Sequence, residues 1–322
     1  MFQPKPFFKR LFLISFLYFF LVLASILAFF LKPSASYTEP RLVFCDVGQG
    51  DAILFLWRDK QFLIDAGSDN GRALDCLQKH MPWFDWRLEL AILTHPDLDH
   101  MGGFVEIGQI YDIDLFVLPA IGKDSKPFRE FRDHLVNEWL PQRRVGRVTT
   151  LPNETEITFS DKIKISFWQN YSAFLTGFDP FKNELDSKKL SALLKESDQF
   201  SIDINSLSIV TFLNIDQSLS IFTGDLDQMG ELALIRARSL GEVAILKAGH
   251  HGAKTSSAEE FVSSIRPENT IISSGKNNSY GHPKPETLQI LEKYYSRVWR
   301  TDELGDIIFV FRDGRWQNVN DH

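Results

Sequence analysis

Two cysteines, Cys45 and Cys76, are too few for a disulfide scaffold or a thiolate metal cluster, and neither has metal-site spacing. Basic excess is also missing. The 35 Lys and Arg stand against 42 Asp and Glu, a net charge of −7, which excludes a broad cationic face for nucleic acid. Any polyanionic substrate must therefore be held locally. No second long apolar run follows Leu31, so a multi-span channel does not reside in these residues. There is no Gly-x-Ser-x-Gly elbow, no Cys nucleophile with a matched His, and no repeat of solenoid or propeller period. With 14 Pro and 19 Gly in 322 residues, collagen-like and wholly disordered chains are excluded, and the length suffices for a large buried core.

What is present begins with a basic, apolar amino terminus. Lys5, Lys9, Arg10 and Lys32 occur among residues 1–32 without an acid, and the 21 residues from Leu11 to Leu31 are uncharged. As a helix this run extends about 31 Å, the thickness of a bilayer's hydrocarbon core. It reads as a cytoplasmic tip and single transmembrane anchor over 1–32, followed by a Pro- and Ser-containing linker over 33–40 and a folded domain over 41–322. The positive-inside rule then places a single-pass protein in the cell membrane with its domain extracytoplasmic. A cleaved signal peptide is the alternative, with Ser34-Ala35-Ser36 as the small residues, but signal cores of about 7–15 residues are shorter than this run. Cys45 and Cys76 would be free to pair outside the cell; their separation in space is left open.

From Arg41, apolar runs at 42–45, 52–57 and 61–64, broken by Gly48-Gln49-Gly50 and Arg58-Asp59-Lys60, predict a meander of short strands. Strands and helices then alternate: helix 72–80, strand 88–94, a Gly-opened helix near 103, strand 115–119 and helix 128–139. Strands follow at 148–151, 155–160 and 162–168. Residues 169–203 turn polar and read as a solvated insertion. A second alternating series runs from 208: strands 208–213, 219–222, 243–248 and 270–274, helices 229–239, 258–265 and 285–295, and terminal strands near 298 and at 307–311.

One heptapeptide dominates. Thr94-His95-Pro96-Asp97-Leu98-Asp99-His100 places two imidazoles and two carboxylates directly after an apolar strand. An N-cap explains one Asp but neither His, whereas metal ligation explains all four groups, and their divergent directions suit two neighbouring ions better than one. Later loops add Thr223-Gly224-Asp225-Leu226, Leu246-Lys247-Ala248-Gly249-His250-His251-Gly252 and Tyr280-Gly281-His282-Pro283. For Asp225 alone, an N-cap for the helix near Met229 is the equal alternative. Lys254-Thr255-Ser256-Ser257 precedes a helix with two capping-box spacings, Ser256 to Glu259 and Ser257 to Glu260, and the same helix start with Lys247 and Lys254 offers a phosphate-binding reading.

The metal loop resembles the HxHxDH signature of the metallo-β-lactamase superfamily, with Asp97 in place of the second His. Together with residues 44–52, Leu63-Ile64-Asp65-Ala66-Gly67 and the later motifs, it is similar to the extracytoplasmic metallo-β-lactamase-like domain of ComEC competence proteins. The resemblance implies an α/β fold, a four-layer αββα sandwich. It implies that His95 and Asp97 serve one metal, Asp99 and His100 the other, that Asp225 bridges them, and that His251 and His282 complete the shells. His250 is left undecided as ligand or packing neighbour. Superfamily members commonly place a further His between the metal loop and the Gly-Asp motif; here Asn205-Ser206-Leu207 occupies that stretch, which weakens one shell. One or two divalent ions, manganese or zinc, are expected, and the lack of thiolates with a carboxylate in place of an imidazole leans the site from zinc toward harder ions such as manganese.

The implied activity is a metal-dependent hydrolase, a phosphodiesterase or DNase on single-stranded or duplex DNA in a competence-like uptake role. Asp99, Asp225 and Lys247 are the catalytic candidates, and Lys254, Ser256 and Ser257 the substrate-binding ones. A separate membrane channel protein is a candidate partner. Hydrolysis of another ester or amide, or a non-catalytic metal-binding module, are the alternatives.

Overall fold

The computed structural model describes residues 15–22, 37–119, 122–150, 155–169 and 203–319. Residues 15–22 are helical. The remainder of the expected anchor, residues 33–36 of the expected linker and nearly all of the expected insertion lie outside the described residues, while 37–40 of that linker belong to the first strand, so the folded domain opens at Tyr37 rather than Arg41. Among the described residues, no helix is long and apolar enough to cross a membrane.

Two mixed sheets form the domain. The first contains β1 (Tyr37–Phe44), β2 (Ile53–Arg58), β3 (Lys60–Ile64), β4 (Arg87–Ile92), β5 (Asp112–Val117), β6 (Val145–Thr149), β14 (Ile307–Arg312) and β15 (Arg315–Asn318), in the order β15-β14-β1-β2-β3-β4-β5-β6. The second contains β7 (Glu156–Ser160), β8 (Ile163–Trp168), β9 (Val210–Ile215), β10 (Ser218–Phe222), β11 (Ile245–Lys247), β12 (Asn269–Ile272) and β13 (Arg297–Arg300), ordered β13-β12-β11-β10-β9-β8-β7.

Each sheet starts antiparallel and continues parallel. A tight turn at Asp59 links β2 to β3, because antiparallel neighbours need only a hairpin, whereas β1 reaches β2 through the longer loop 45–52. Parallel β3, β4, β5 and β6 need crossovers, supplied by α1 (Arg72–His80), α2 (Leu98–Met101), α3 (Phe104–Ile110) and α4 (Lys126–His134). In the second sheet β10, β11, β12 and β13 run parallel through α5 (Gln228–Ala237), α6 (Glu259–Ile265) and α7 (Pro285–Lys293). The predicted helix 128–139 divides into α4 and a π-helical turn, Leu135–Trp139. The added strand β15 is short and half polar, too weak a pattern to read in advance.

The side-chain period of two assigns alternate strand residues to different layers. Leu54, Leu63 and Ala91 face outward against Leu77, Phe104 and Phe131 of the first helical layer. Phe44, Phe62, Leu90 and Ile92 face inward against Ile165, Leu213, Phe222 and Ile271 of the other sheet. Phe212, Ile221 and Leu246 pack on Leu234, Phe261 and Leu291 beyond it. The result is the expected four-layer α/β sandwich. A disulfide, Cys45–Cys76, with Cα atoms 6.0 Å apart, ties the end of β1 to α1.

Candidate metal centre

In both sheets the loops leaving the carboxyl ends of the parallel strands, and the loop from β1 to β2, open at one pole, the position that α/β folds use for ligands. Asp51 arrives from the loop after β1. That loop fits only because Gly50 has φ 131° and no side chain: a Cβ there would collide with the Asp99 carbonyl oxygen. Asp51 N–H donates to that same carbonyl at 3.1 Å, so the first loop is locked to the His95–His100 loop. Asp225 follows β10, Lys247 closes β11, and His250 and His251 come next. Both of these histidines sit in the left-handed region, with φ 48° and 54°, a conformation that non-glycine residues keep only where the surroundings enforce it.

Ligand atoms of Asp51, His100, Asp225 and His251 all lie within 4.8 Å of one another, and all four residues are buried. His100 Nε2 is 3.2 Å from Asp225 Oδ1, and His251 Nε2 is 3.5 Å from Asp225 Oδ2 and 3.3 Å from Asp99 Oδ2. The Nε2 atoms of His95, His100 and His251, with Asp225 Oδ1, are buried without a hydrogen bond. Orphaned polar atoms of this kind in one pocket cost several kcal/mol unless a further group satisfies them. Imidazole and carboxylate donors fit a divalent cation such as zinc or manganese.

The far sides of the imidazoles are fixed. Asp65, just after β3, accepts from Thr94 N–H at 2.8 Å and Thr94 Oγ1 at 2.7 Å, and lies 2.8 Å from His100 Nδ1. His251 Nδ1 lies 2.9 Å from the Ser273 carbonyl oxygen, so Nε2 of each ring is turned toward the centre. Lys247 Nζ pairs with Asp51, donates to the Gly224 carbonyl at 3.1 Å and lies 3.9 Å from Asp225 Oδ1.

The electrostatics follow from this crowding. Burial opposes charge on His100, but Asp225 and Asp65 outweigh it and raise its pKa well above the usual value. Burial likewise opposes charge on His251, which Asp225, Asp51 and Asp99 push up to about 9. Asp225 is held well below the carboxylate range because His251 and His100 outweigh its burial. His95 falls to about 4, from burial and the neighbouring His100.

Other expected ligands divide. His95 Nε2 is 3.9 Å and His250 Nε2 3.8 Å from Asp225 Oδ2, so His250 faces the centre rather than packing away. His282 stacks on His251 at 6.5 Å, with its Nδ1 buried and lacking a hydrogen bond. Asp97 departs from expectation: its carboxylate pairs with Lys123 Nζ at 2.7 Å and is not among the clustered ligand atoms. Asp225 is released from capping because Asp227 caps α5, accepting from Gly230 N–H at 2.8 Å. Nor does the Asn205-Ser206-Leu207 stretch supply a ligand. Ser206 donates to Asp227 at 2.7 Å, while the adjoining Ser208 accepts from Asp225 N–H at 3.2 Å.

The expected phosphate site at Lys254, Ser256 and Ser257 is corrected. Lys254 is exposed, but both serines are buried, and Ser256 Oγ donates to the carbonyls of Gly249 and Ala253 at 2.6 and 2.9 Å. Neither capping box forms. The helix start is filled by the buried carboxyl of Glu231, which accepts from Ser257 N–H at 2.8 Å and Ala258 N–H at 2.7 Å. Asp51 and Asp65 were not among the expected site residues, although the Gly-Asp-Ala and Asp-Ala-Gly motifs that carry them are legible.

Residues 45–180 match the family model of the metallo-β-lactamase superfamily. The chain carries a metallo-β-lactamase domain. It is 27% identical over 302 residues to ComE operon protein 3 of Bacillus subtilis, covering 88% of this chain and 34% of that protein. With Recombination protein 2 of Haemophilus influenzae it shares 30% identity over 269 residues, covering 81% and 28% of the two chains. Both are ComEC-type competence proteins, and this chain spans about a third of their length. The fold of the metallo-β-lactamase domain is similar to that of YhfI from Bacillus subtilis, with TM-score 0.50 and 10% identity over 85% of this chain and all of the other.

Proposed function

We propose that this chain is a metal-dependent phosphodiesterase that cleaves DNA, single-stranded or duplex, during ComEC-type DNA uptake or processing. The convergence of Asp51, His100, Asp225 and His251 from four loops of two sheets carries the reading. The metallo-β-lactamase domain supports metal-dependent hydrolysis, and the competence relatives support DNA as the substrate class.

One or two bound divalent ions would lower the pKa of water and neutralise charge developing on a phosphodiester. Asp225, facing His95, His250 and His251 at one oxygen and His100 at the other, would hold such ions together with those imidazoles. His251 and Asp51 close the buried side. Asp99, partly exposed and 3.3 Å from His251 Nε2, lies where the centre meets solvent and orients substrate or water. Lys247 holds Asp51 and offsets the carboxylate charge. His282 is half-buried at the rim, and burial with His251 and His250 lowers its pKa to about 4. Its neutral form, the one a metal ligand requires, is thereby favoured. The imidazole donors suit zinc, and the carboxylates without a thiolate lean the set toward manganese.

The setting is extracytoplasmic in this reading, at the cell membrane. The Cys45–Cys76 disulfide supports an oxidising compartment, and the apolar run Leu11–Leu31 with its basic amino-terminal flank supports an anchor of that orientation. A separate membrane protein would supply any channel.

The test is cleavage of labelled DNA by the purified full chain across a manganese titration. Activity should rise with metal and fall at least about a hundredfold in Asp225→Asn and in Asp99→Ala, since loss of even an outer-shell partner costs about 10–100-fold. DNA left intact by metal-loaded protein, or equal rates in all three proteins, would refute the nuclease reading.

A further inference from the structure

The pole opposite the metal centre is built differently. Met81–Trp86 joins α1 to β4 there and leaves Trp83, Phe84 and Trp86 exposed at 61%, 45% and 47%. Trp83 meets Phe84 edge to face at 5.6 Å, and Trp86 leans on Tyr111 at 5.4 Å. One exposed ring is ordinary; three within four residues concentrate apolar surface, worth about 25 cal/mol for every Å² removed from water.

The chain enters the domain at this same pole. Tyr37 opens β1, and its hydroxyl donates to the carbonyl of His80, the residue before Met81. Tyr37 pairs with Arg58, Arg87 pairs with Asp112, and Asp112 N–H donates to the Trp86 carbonyl at 2.9 Å, so these strand ends share one level. Only residues 32–36 separate Tyr37 from the apolar run Leu11–Leu31, a tether of at most about 20 Å. Residues 15–22 of that run are helical and exposed throughout.

Four cations around the loop pair with acids, while Arg58 lies over the Trp57 ring. Arg87 pairs with Asp114, Arg144 with Asp112, Lys60 with Asp59 and Arg312 with Glu39. Much of the positive charge near the loop is thus neutralised, and the aromatic rings dominate what the loop itself offers. Tryptophan, apolar in body and polar at its N–H, is the side chain that bilayer interfaces favour.

We propose that the Trp83–Phe84–Trp86 loop docks on the lipid bilayer that holds residues 11–31, standing the domain on the membrane with its metal centre turned away. The inference rests on reading those residues as an anchor. β4 alone, six residues long, keeps the His95 loop about 20 Å from the aromatic loop, so the centre stays in water and open to a polymer arriving from outside. Docking uses ring burial and does not require anionic lipid.

The experiment reconstitutes the full chain into phosphatidylcholine vesicles brominated high on the acyl chains, and reads flotation and tryptophan emission. Wild type floats and loses about a quarter of its emission, because Trp83 and Trp86 are two of seven tryptophans. Trp83→Phe/Trp86→Phe keeps the apolar contacts, floats equally and loses that quenchable fraction; anionic lipid changes neither result. Protein that floats with quenching no greater than in the double variant overturns the docking alone. Protein that does not float overturns the anchor reading and the docking with it. Quenching that requires a second membrane protein assigns the loop to that protein and overturns the lipid proposal.

Discussion

Asp51 and Lys247 join the two sheets beneath the candidate metal centre: a carboxylate from the loop after β1 pairs with an ammonium from the last residue of β11, both fully buried. Removing two charges from water costs several kcal/mol for each, and only close pairing with further hydrogen bonds offsets it. Lys247→Met would remove the closest cation from Asp51 and leave it buried beside Asp225 with only His251 and His100 to offset its charge. The expected loss is at most about 3–5 kcal/mol in urea unfolding of metal-free protein, the figure for a buried charge left wholly uncompensated. Added manganese should recover part of it by binding the native state alone. An unchanged unfolding midpoint would show that the pair does not hold the centre together.

Asp65 acts through His100. By accepting from Thr94 twice and facing His100 Nδ1, it turns Nε2 of that ring inward. Asp65→Asn keeps the size but weakens this hold, and metal affinity should fall about 10–100-fold while the far-ultraviolet spectrum is unchanged. Equilibrium dialysis against manganese and zinc reads the effect; wild-type affinity in the variant would reduce Asp65 to a structural residue.

The layers were legible because apolar periods of two and near four alternate clearly from Arg41 to Arg312, and each predicted helix packs on the sheet its neighbours require. The His95–His100 loop was legible because the density of ligand types exceeds what caps explain. Asp51 and Asp65 were harder: each stands alone beside glycine, and only strand pairing brings them 49 and 35 residues along the chain to His100. Asp97 looked equivalent to its neighbours until Lys123, 26 residues later, claimed it. The serines before α6 failed for a similar reason, since a glutamate from another helix reached the same backbone donors first. Local pattern fixes the period; it does not reveal which distant partner arrives.

Cys45 and Cys76 brace the loop that carries Asp51. The bridge closes 31 residues, for which chain-entropy reasoning gives about 2–4 kcal/mol. Cys45→Ala/Cys76→Ala should lower stability by that amount, and metal affinity should fall as well, because Cys45 opens the segment ending at Asp51. Calorimetry and metal titration of both proteins separate the two effects; lowered stability with unaltered affinity would confine the bridge to folding.

Glu231 gives the fold a pH dependence apart from the metal centre. Burial pushes its carboxyl up to about 8 and nearby Asp227 adds to this, against the Ala258 and Ser257 N–H groups that favour the anion. The ordinary value is 4.5. Between these values the folded protein keeps a proton that the unfolded chain has released, so this contribution to stability is complete below the lower value and declines as pH rises through the upper one. The decline amounts to a few kcal/mol. Glu231→Gln cannot ionise and gives up one of two backbone acceptors. It should be about 1–3 kcal/mol less stable than wild type at low pH. Its curve is flatter, so the gap narrows as pH rises through the upper value. Urea unfolding of both proteins from acid to alkaline pH, in chelator to silence the metal ligands, reads the difference. Parallel curves would mean that Glu231 stays ionised at the start of α6, and its assignment as a buried proton holder would fall.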